Sequence, residues 1–422
     1  MGTPARSTKP AKSGIRAQLG EAVSTGNTPT WENEIMLKNL LKATVFATTL
    51  ALAAGAVSMP AFAEVVYNRG NSADPESLDP HKTSTVYEAH ILRDLFLGLV
   101  MQDKDANLIP GAAESWTVSD DGLVYTFKLR QGATWSDGSP VTADDFVYSF
   151  RRLEDPATGA EYASMLYPIV KAEEVNTGKA KPEEIGVKAI DPSTLEVTLK
   201  APTPYFLEML THQAAYPVNK AAIEKLGADW IKPGNLVSNG AYTLAEFIPN
   251  DRIKLVKNPK FYDAANVKID VVNYIPTEDR STAIKRFEAG ELDSNDDIPT
   301  EQMAELKAKF GDQLRVGAQL GTYYYAMKWD KEPWSNLELR KAVSMAIDRD
   351  FIAEKVWQNS MLPSYTMVPP GIEGYTPVAA EYANMSQIDR EDEAKKILEK
   401  LGYGPDKPLK MEIRYNTSEN HK

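Results

Sequence analysis

The chain has 422 residues, 43% hydrophobic and 25% charged, with 25 Gly and 27 Pro, a balance that excludes disordered, collagen-like and coiled-coil classes. Its length exceeds the roughly 250 to 300 residues at which one hydrophobic core stops growing, so at least two packed domains are expected. With 47 basic against 59 acidic side chains the formal charge is −12, which repels phosphate backbones and argues against nucleic acid as a partner; the lack of Cys excludes disulfides, thiolate metal sites, Cys nucleophiles and a lipid-carrying Cys.

Residues 1–35 are polar, without a core-forming pattern, and read as an upstream extension that is not native, with Met36 the expected start. From there Lys38 and Lys42 precede an apolar run that ends at the small-residue box Ala61-Phe62-Ala63, which defines a signal peptide over 36–63. The run falls short of the roughly 20 apolar residues needed to span a bilayer. Residues 1–63 hold six basic and three acidic side chains, so their removal leaves a net charge of −15. An exported chain with no Cys to lipidate is expected free in the periplasm of a two-membrane bacterium.

Strand and helix patterns then alternate, with no internal repeat, no low-complexity tract and no later run long enough for a bilayer. Val124 to Arg130 places Tyr125, Phe127 and Leu129 on one face, and Leu195 to Lys200 alternates likewise, so both are expected as half-buried strands. Asp121-Gly122 and Asp137-Gly138 are hairpin-type turns that predict an antiparallel meander over about residues 115 to 140, and Thr142 opens a helix. Ser335 and Glu338 form a capping-box pattern before Leu339, Val343, Ala346 and Ile347. A further helix carries Ala394, Ile397, Leu398 and Leu401, with Glu391/Lys395 and Asp392/Lys396 pairs and a stop at Gly402. Leu409 to Tyr415 reads as a strand, and the pattern ends at Lys422 where a helix is expected to begin, which predicts a C-terminally truncated chain.

No phosphate-binding loop, dinucleotide fingerprint, H-E-x-x-H or G-x-S-x-G motif is present. The four His, at positions 81, 90, 212 and 421, lie too far apart in sequence to form a helical metal pair, so neither a metal nor a cofactor is expected. The doublets Asp144/Asp145 and Asp296/Asp297 point their carboxylates in different directions on a helix or strand and read as caps or solvated faces. Binding is therefore favoured over catalysis. On residues alone, a periplasmic hydrolase using scattered carboxylates and a holdase with exposed apolar surface both stay open.

The run AESWTVSDDGLVYTFKLRQGATWSDGSPVTADDFVYSFRRLEDP, Ala113 to Pro156, resembles the signature region of the family-5 extracellular solute-binding proteins, the peptide receptors of ABC importers. SLDPH (Ser77 to His81), RDLFLGL (Arg93 to Leu99), NGAYTL (Asn239 to Leu244), GTYYYAM (Gly321 to Met327), AIDRD (Ala346 to Asp350) and YNTSENHK (Tyr415 to Lys422) follow the family order. The resemblance is strongest to the oligopeptide receptors, with murein-tripeptide, dipeptide and haem receptors as alternatives on the same fold.

The resemblance implies a two-lobed α/β receptor of type II, peptide-binding cluster, with an extra subdomain and its C-terminal part missing. Lobe I would comprise 64–96 and 220–320, the subdomain 97–219, and an incomplete lobe II 321–422. The implied protein is a monomer, not an enzyme, that closes over short peptides and delivers them to an ABC permease and ATPase complex at the inner membrane. Main-chain hydrogen bonds would supply affinity and hydrated pockets would tolerate varied side chains. Carried over by position, Ser84, Thr85 and Val86 match a segment whose backbone pairs with the ligand, and Tyr162 and Tyr324 match chamber aromatics. His212, Asn416 and His421 match positions near the chamber. Three departures bear on ligand preference: Trp357 replaces a Lys, Gln319 replaces an aromatic, and Asn295 to Asp297 is more acidic than the corresponding run.

Overall fold

The computed structural model describes residues 64–317, 319–372 and 375–415, so the upstream extension, the signal peptide, Asn416 and His421 lie outside the described residues. In chain order come β1 (Val66–Asn71), α1 (Val86–Leu95), β2 (Val100–Gln102), β3 (Leu108–Pro110), β4 (Ala113–Val118), β5 (Val124–Leu129) and α2 (Ala143–Glu154). There follow β6 (Val187–Asp191), β7 (Thr194–Thr198), α3 (Lys220–Leu226), β8 (Tyr242–Ile248), β9 (Arg252–Lys257), β10 (Val271–Pro276), α4 (Arg280–Glu288), β11 (Ser294–Asn295) and α5 (Met303–Phe310). Two further helices complete the labelled elements, α6 (Leu337–Ala346) and α7 (Gln387–Lys400).

Three sheets result. The largest has the order β11-β1-β10-β9-β8, with β1 parallel to β10 and β11, and β9 antiparallel to both β10 and β8, so a strand near residue 70 pairs with chain two hundred positions on. A four-stranded antiparallel sheet has the order β4-β5-β7-β6, and β2 and β3 form a separate ribbon. The expected strands fall at β5 and β7, where Tyr125, Phe127, Leu129, Leu195 and Val197 are buried on alternate positions. The meander is a correction: β5 takes β7 as its second neighbour, and Asp137-Gly138 turns a loop held by an isolated Thr134–Pro140 bridge.

Asp145 fixes the start of α2, its carboxylate accepting the Thr142 N–H at 2.7 Å and hydroxyl at 3.0 Å. The helix then buries Phe146, Val147, Phe150 and Leu153, a stripe at i, i+1, i+4 and i+7. Full burial of each contributes about 1.5 to 3 kcal/mol. Asn239 joins two sequence motifs: its side chain accepts the Leu97 N–H and donates to the Leu97 carbonyl, both at 2.9 Å, imitating a strand partner, while Gly240 N–H reaches Leu95 O at 2.9 Å. One core runs from Leu78 to Tyr274 through both larger sheets, and Ala342, Met345 and Ala394 form a second, much smaller one.

Four local expectations in the C-terminal part are corrected. Asn336, one residue past Ser335, caps α6 by accepting the Leu339 N–H, and Ser335 turns back to Glu332. The buried face of α6 is Leu339, Ala342 and Met345, rotated from the expected Val343, Ala346 and Ile347 toward α7. On α7, Lys396 pairs with Glu393 at 3.2 Å rather than with Asp392, and Gln387 reaches Glu391. Leu409 to Tyr415 forms no ladder among the described residues; apolar alternation makes a strand only beside a partner, and Met411, Ile413 and Tyr415 stand exposed. No helix among the described residues is long and apolar enough to cross a membrane.

Candidate ligand-binding site

The SLDPH motif builds a buried ionic knot. Asp79 accepts the His81 N–H, which starts the short turn Pro80–Lys82, and takes two bonds from the Arg152 guanidinium, at 3.0 and 2.5 Å. Arg152 also lies 2.7 Å from His81 Nδ1, and His81 Nε2 lies 3.3 Å from the Tyr216 carbonyl. Since guanidinium only donates, Nδ1 accepts and Nε2–H donates, so the ring is neutral. Burial, with Arg152 beside it, outweighs the attraction of Asp79 and pulls the His81 pKa down to about 4.

Immediately after this turn come Ser84, Thr85 and Val86. Thr85 caps α1 and Val86 is its first helical residue, whose N–H has no intrahelical partner; the residue is 64% exposed. Glu88, one turn on and buried, accepts the backbone N–H groups of Ser84 and Thr85 at 3.0 Å each and the Thr85 hydroxyl at 2.7 Å.

Tyr162 and His212 meet, with ring centroids 4.8 Å apart. Tyr162 adjoins Glu161, whose N–H bonds the His81 carbonyl at 3.3 Å, so the pair sits on the same turn that leads into Ser84. His212 also does local work: its Nδ1 accepts the Ala214 N–H at 3.2 Å, and burial together with Arg93 lowers its pKa to about 4. The structure thus gathers Ser84 to Val86, Tyr162 and His212 around the SLDPH turn. Tyr324 stands apart, 58% exposed, and among the described residues no hydrogen bond or ring contact joins it to this group.

At the C-terminal ends of the parallel strands lies the acidic run. Asp296 pairs with Arg69 and lies 3.6 Å from His90 Nδ1, while Asp297 accepts from Ser72 at 3.1 Å and pairs with Arg280. The run is therefore neither a bare acidic wall nor a free loop, since resident cations hold both carboxylates. A separate groove of about 500 Å³, lined by residues including Asp350, Phe351, Tyr365 and Arg390, shares no lining residue with the gathered group. No cluster of His, Asp and Glu among the described residues suits a metal. Sequence reasoning missed Glu88 and Arg152; the capping-box spacing Thr85-x-x-Glu88 was the available signal for the first, and nothing local pointed to the second.

Parallel strand ends beside a helix N-terminus form the crevice in which open α/β folds bind ligands, and the chain compares accordingly with known proteins. Residues 107–422 match the bacterial extracellular solute-binding proteins, family 5 (middle), and the chain belongs to that family, whose members are solute-binding proteins. Within it, the chain is 43% identical over 384 residues to the periplasmic oligopeptide-binding protein OppA of Escherichia coli strain K12, covering 90% of this chain and 70% of that one. It is 39% identical to the periplasmic murein peptide-binding protein MppA of the same strain, covering 90% and 73%. The solved murein tripeptide binding protein of Escherichia coli superposes with a TM-score of 0.81 at 40% identity over 85% of this chain and 70% of that one. Haemophilus influenzae OppA in complex with RPPGFSPFR gives 0.79 at 40%, over 82% and 68%. The fold is thus the type II α/β fold of peptide receptors, and the chain spans about 70% of the length of these relatives.

Proposed function

We propose that this chain is the periplasmic solute-binding component of an ABC importer and captures short peptides between two closing lobes. The observation that carries this reading is the 43% identity to an oligopeptide-binding protein across 90% of the chain. The gathered group supports it: Ser84 to Val86 offer backbone at an exposed helix start, and Tyr162 and His212 offer flat rings beside it. Tyr324 would approach from the other lobe, and Asn416 and His421 belong to the same proposal. Lobe I comprises 64–96 and 220–320, the extra subdomain 97–219, and lobe II begins at 321; the composition of the two larger sheets supports this division. Residues 36–63 direct export and are removed. The receptor acts as a monomer without chemistry of its own and presents its closed form to the permease and ATPase complex.

Ligand shifts an open/closed equilibrium by its differential affinity for the closed state. A peptide at a hundredfold excess over its dissociation constant should therefore stabilise the protein by about 2.7 kcal/mol. Thermal unfolding against a panel of short peptides reads this, and no shift with any of them would remove the proposal. Mass spectrometry of the incubated peptides separates binding from hydrolysis, since a hydrolase would return them cleaved. Murein tripeptide is the second ligand to try, because the TM-score of 0.81 is to a receptor of that kind.

A further inference from the structure

The loop from Glu76 to Thr85 closes on itself at a single carboxylate. Glu88 Oε1 accepts the N–H groups of Glu76 at 3.0 Å and Ser77 at 3.4 Å; Oε2 accepts those of Ser84 and Thr85 at 3.0 Å and the Thr85 hydroxyl at 2.7 Å. Five donors from both ends of the loop thus converge on one buried side chain. Charge-assisted bonds of this kind are about twice as strong as neutral ones, and here they aim the chain before it enters α1. Resting on the peptide-binding reading above, we infer that Glu88 is a positioning residue for ligand: it fixes the backbone of exposed Ser84 and of Thr85, so that the Ser84 carbonyl and the Val86 N–H are held for pairing with a peptide main chain. The four backbone N–H groups that Glu88 occupies are thereby withheld from the ligand, which leaves a defined donor and acceptor pair instead of a floppy polar loop.

Substitution by Gln keeps the shape but exchanges an acceptor for a donor, so N–H groups that faced Oε1 or Oε2 meet an NH₂ and lose their partner. Two measurements on the full chain test this. Hydrogen exchange without peptide should show the Ser84 and Thr85 amides protected in the native protein and exchanging about tenfold faster or more in Glu88→Gln, with β10 amides unchanged. A peptide and its depsipeptide series, each amide N–H in turn replaced by an ester oxygen, should then be titrated. The native protein should lose about tenfold in affinity at one position. Glu88→Gln should bind the parent peptide about tenfold more weakly and lose less than twofold at that position. Should Glu88→Gln not fold, Glu88→Asp, which keeps the charge at shorter reach, takes its place and should fall between the two. Unchanged amide exchange, or a variant that discriminates the ester as the native protein does, overturns the inference. Peptide binding by the native protein with such a result would leave the transport reading standing, whereas no binding by the native protein would remove both.

Discussion

Arg152, in the last turn of α2, makes a bidentate ion pair with Asp79 across the junction between α2 and the turn that precedes α1. Their side chains are 13% and 4% exposed. Burial pushes the Asp79 carboxyl up, yet the hydrogen bonds and charge of Arg152, with His81, more than offset it and hold it below the ordinary value.

Removing one partner of such a pair leaves an uncompensated buried charge, at a cost of about 3 to 5 kcal/mol. Arg152→Met should therefore lower stability by about that amount in urea titration, and adding Asp79→Asn should recover part of the loss. A variant as stable as the native chain would show that the pair is not desolvated in solution.

Burial also sets the dependence on pH. His81, His90 and His212 lie near 4, lowered first by burial and then by neighbouring Arg side chains. The unfolded chain, with His near 6.5, takes up these protons first, so the stabilisation is complete above pH 6.5 and is lost as pH falls toward 4, at about 1.4 kcal/mol per pH unit for each His. Glu154 acts in the opposite sense: fully buried at the end of α2 with both oxygens unpartnered among the described residues, it is raised to about 8, so it costs stability as pH rises from 4.5 to 8. Three groups outweigh one below pH 6.5, and above it Glu154 alone remains, so these groups place the optimum near pH 6.5. Glu154→Gln should abolish the decline between pH 6.5 and 8. Parallel pH–stability curves for variant and native protein would contradict this.

The NGAYTL motif admits no side chain at its glycine. A Cβ on Gly240 would lie 2.6 Å from both the Asp94 carbonyl oxygen and the Leu95 carbonyl carbon, backbone atoms that cannot rotate away. Gly240→Ala should destabilise by about 1 to 3 kcal/mol, as overpacking does. Gly404, with open space around its Cβ position, should accept Ala within about 0.5 kcal/mol. Equal melting temperatures for the two variants would refute the close approach.

What the sequence made legible follows physical range. β5, β7 and the start of α2 were readable because alternation and capping act within a few residues. The partner of β5 was not, because β7 arrives about seventy residues later and nothing local marks it. The cap of α6 slipped from Ser335 to Asn336, since both residues suit an N-cap and only backbone geometry decides. In the site, the contact between Tyr162 and His212 spans fifty positions, beyond the reach of any local pattern. Arg152 was invisible as a partner of Asp79 because an ion pair across seventy positions leaves no pattern in one chain.

Asp296 lies in the acidic run that bears on ligand preference, and its surroundings argue against a preference for basic peptides. Its carboxylate pairs with Arg69 and faces His90, and although burial lowers the Arg69 pKa, the hydrogen bond and charge of Asp296 outweigh it and raise it overall. A carboxylate already matched by a guanidinium offers a ligand lysine little net field, and at 47% side-chain exposure water screens what is left. Asp296→Asn should therefore weaken the binding of a lysine-rich peptide and of its alanine counterpart by the same factor, within about twofold, while lowering stability by up to about 1 kcal/mol through the loss of the Arg69 pair. Calorimetric titration of both peptides decides the matter: a loss above tenfold confined to the lysine peptide would mean that Asp296 releases Arg69 and turns to the ligand when the lobes close.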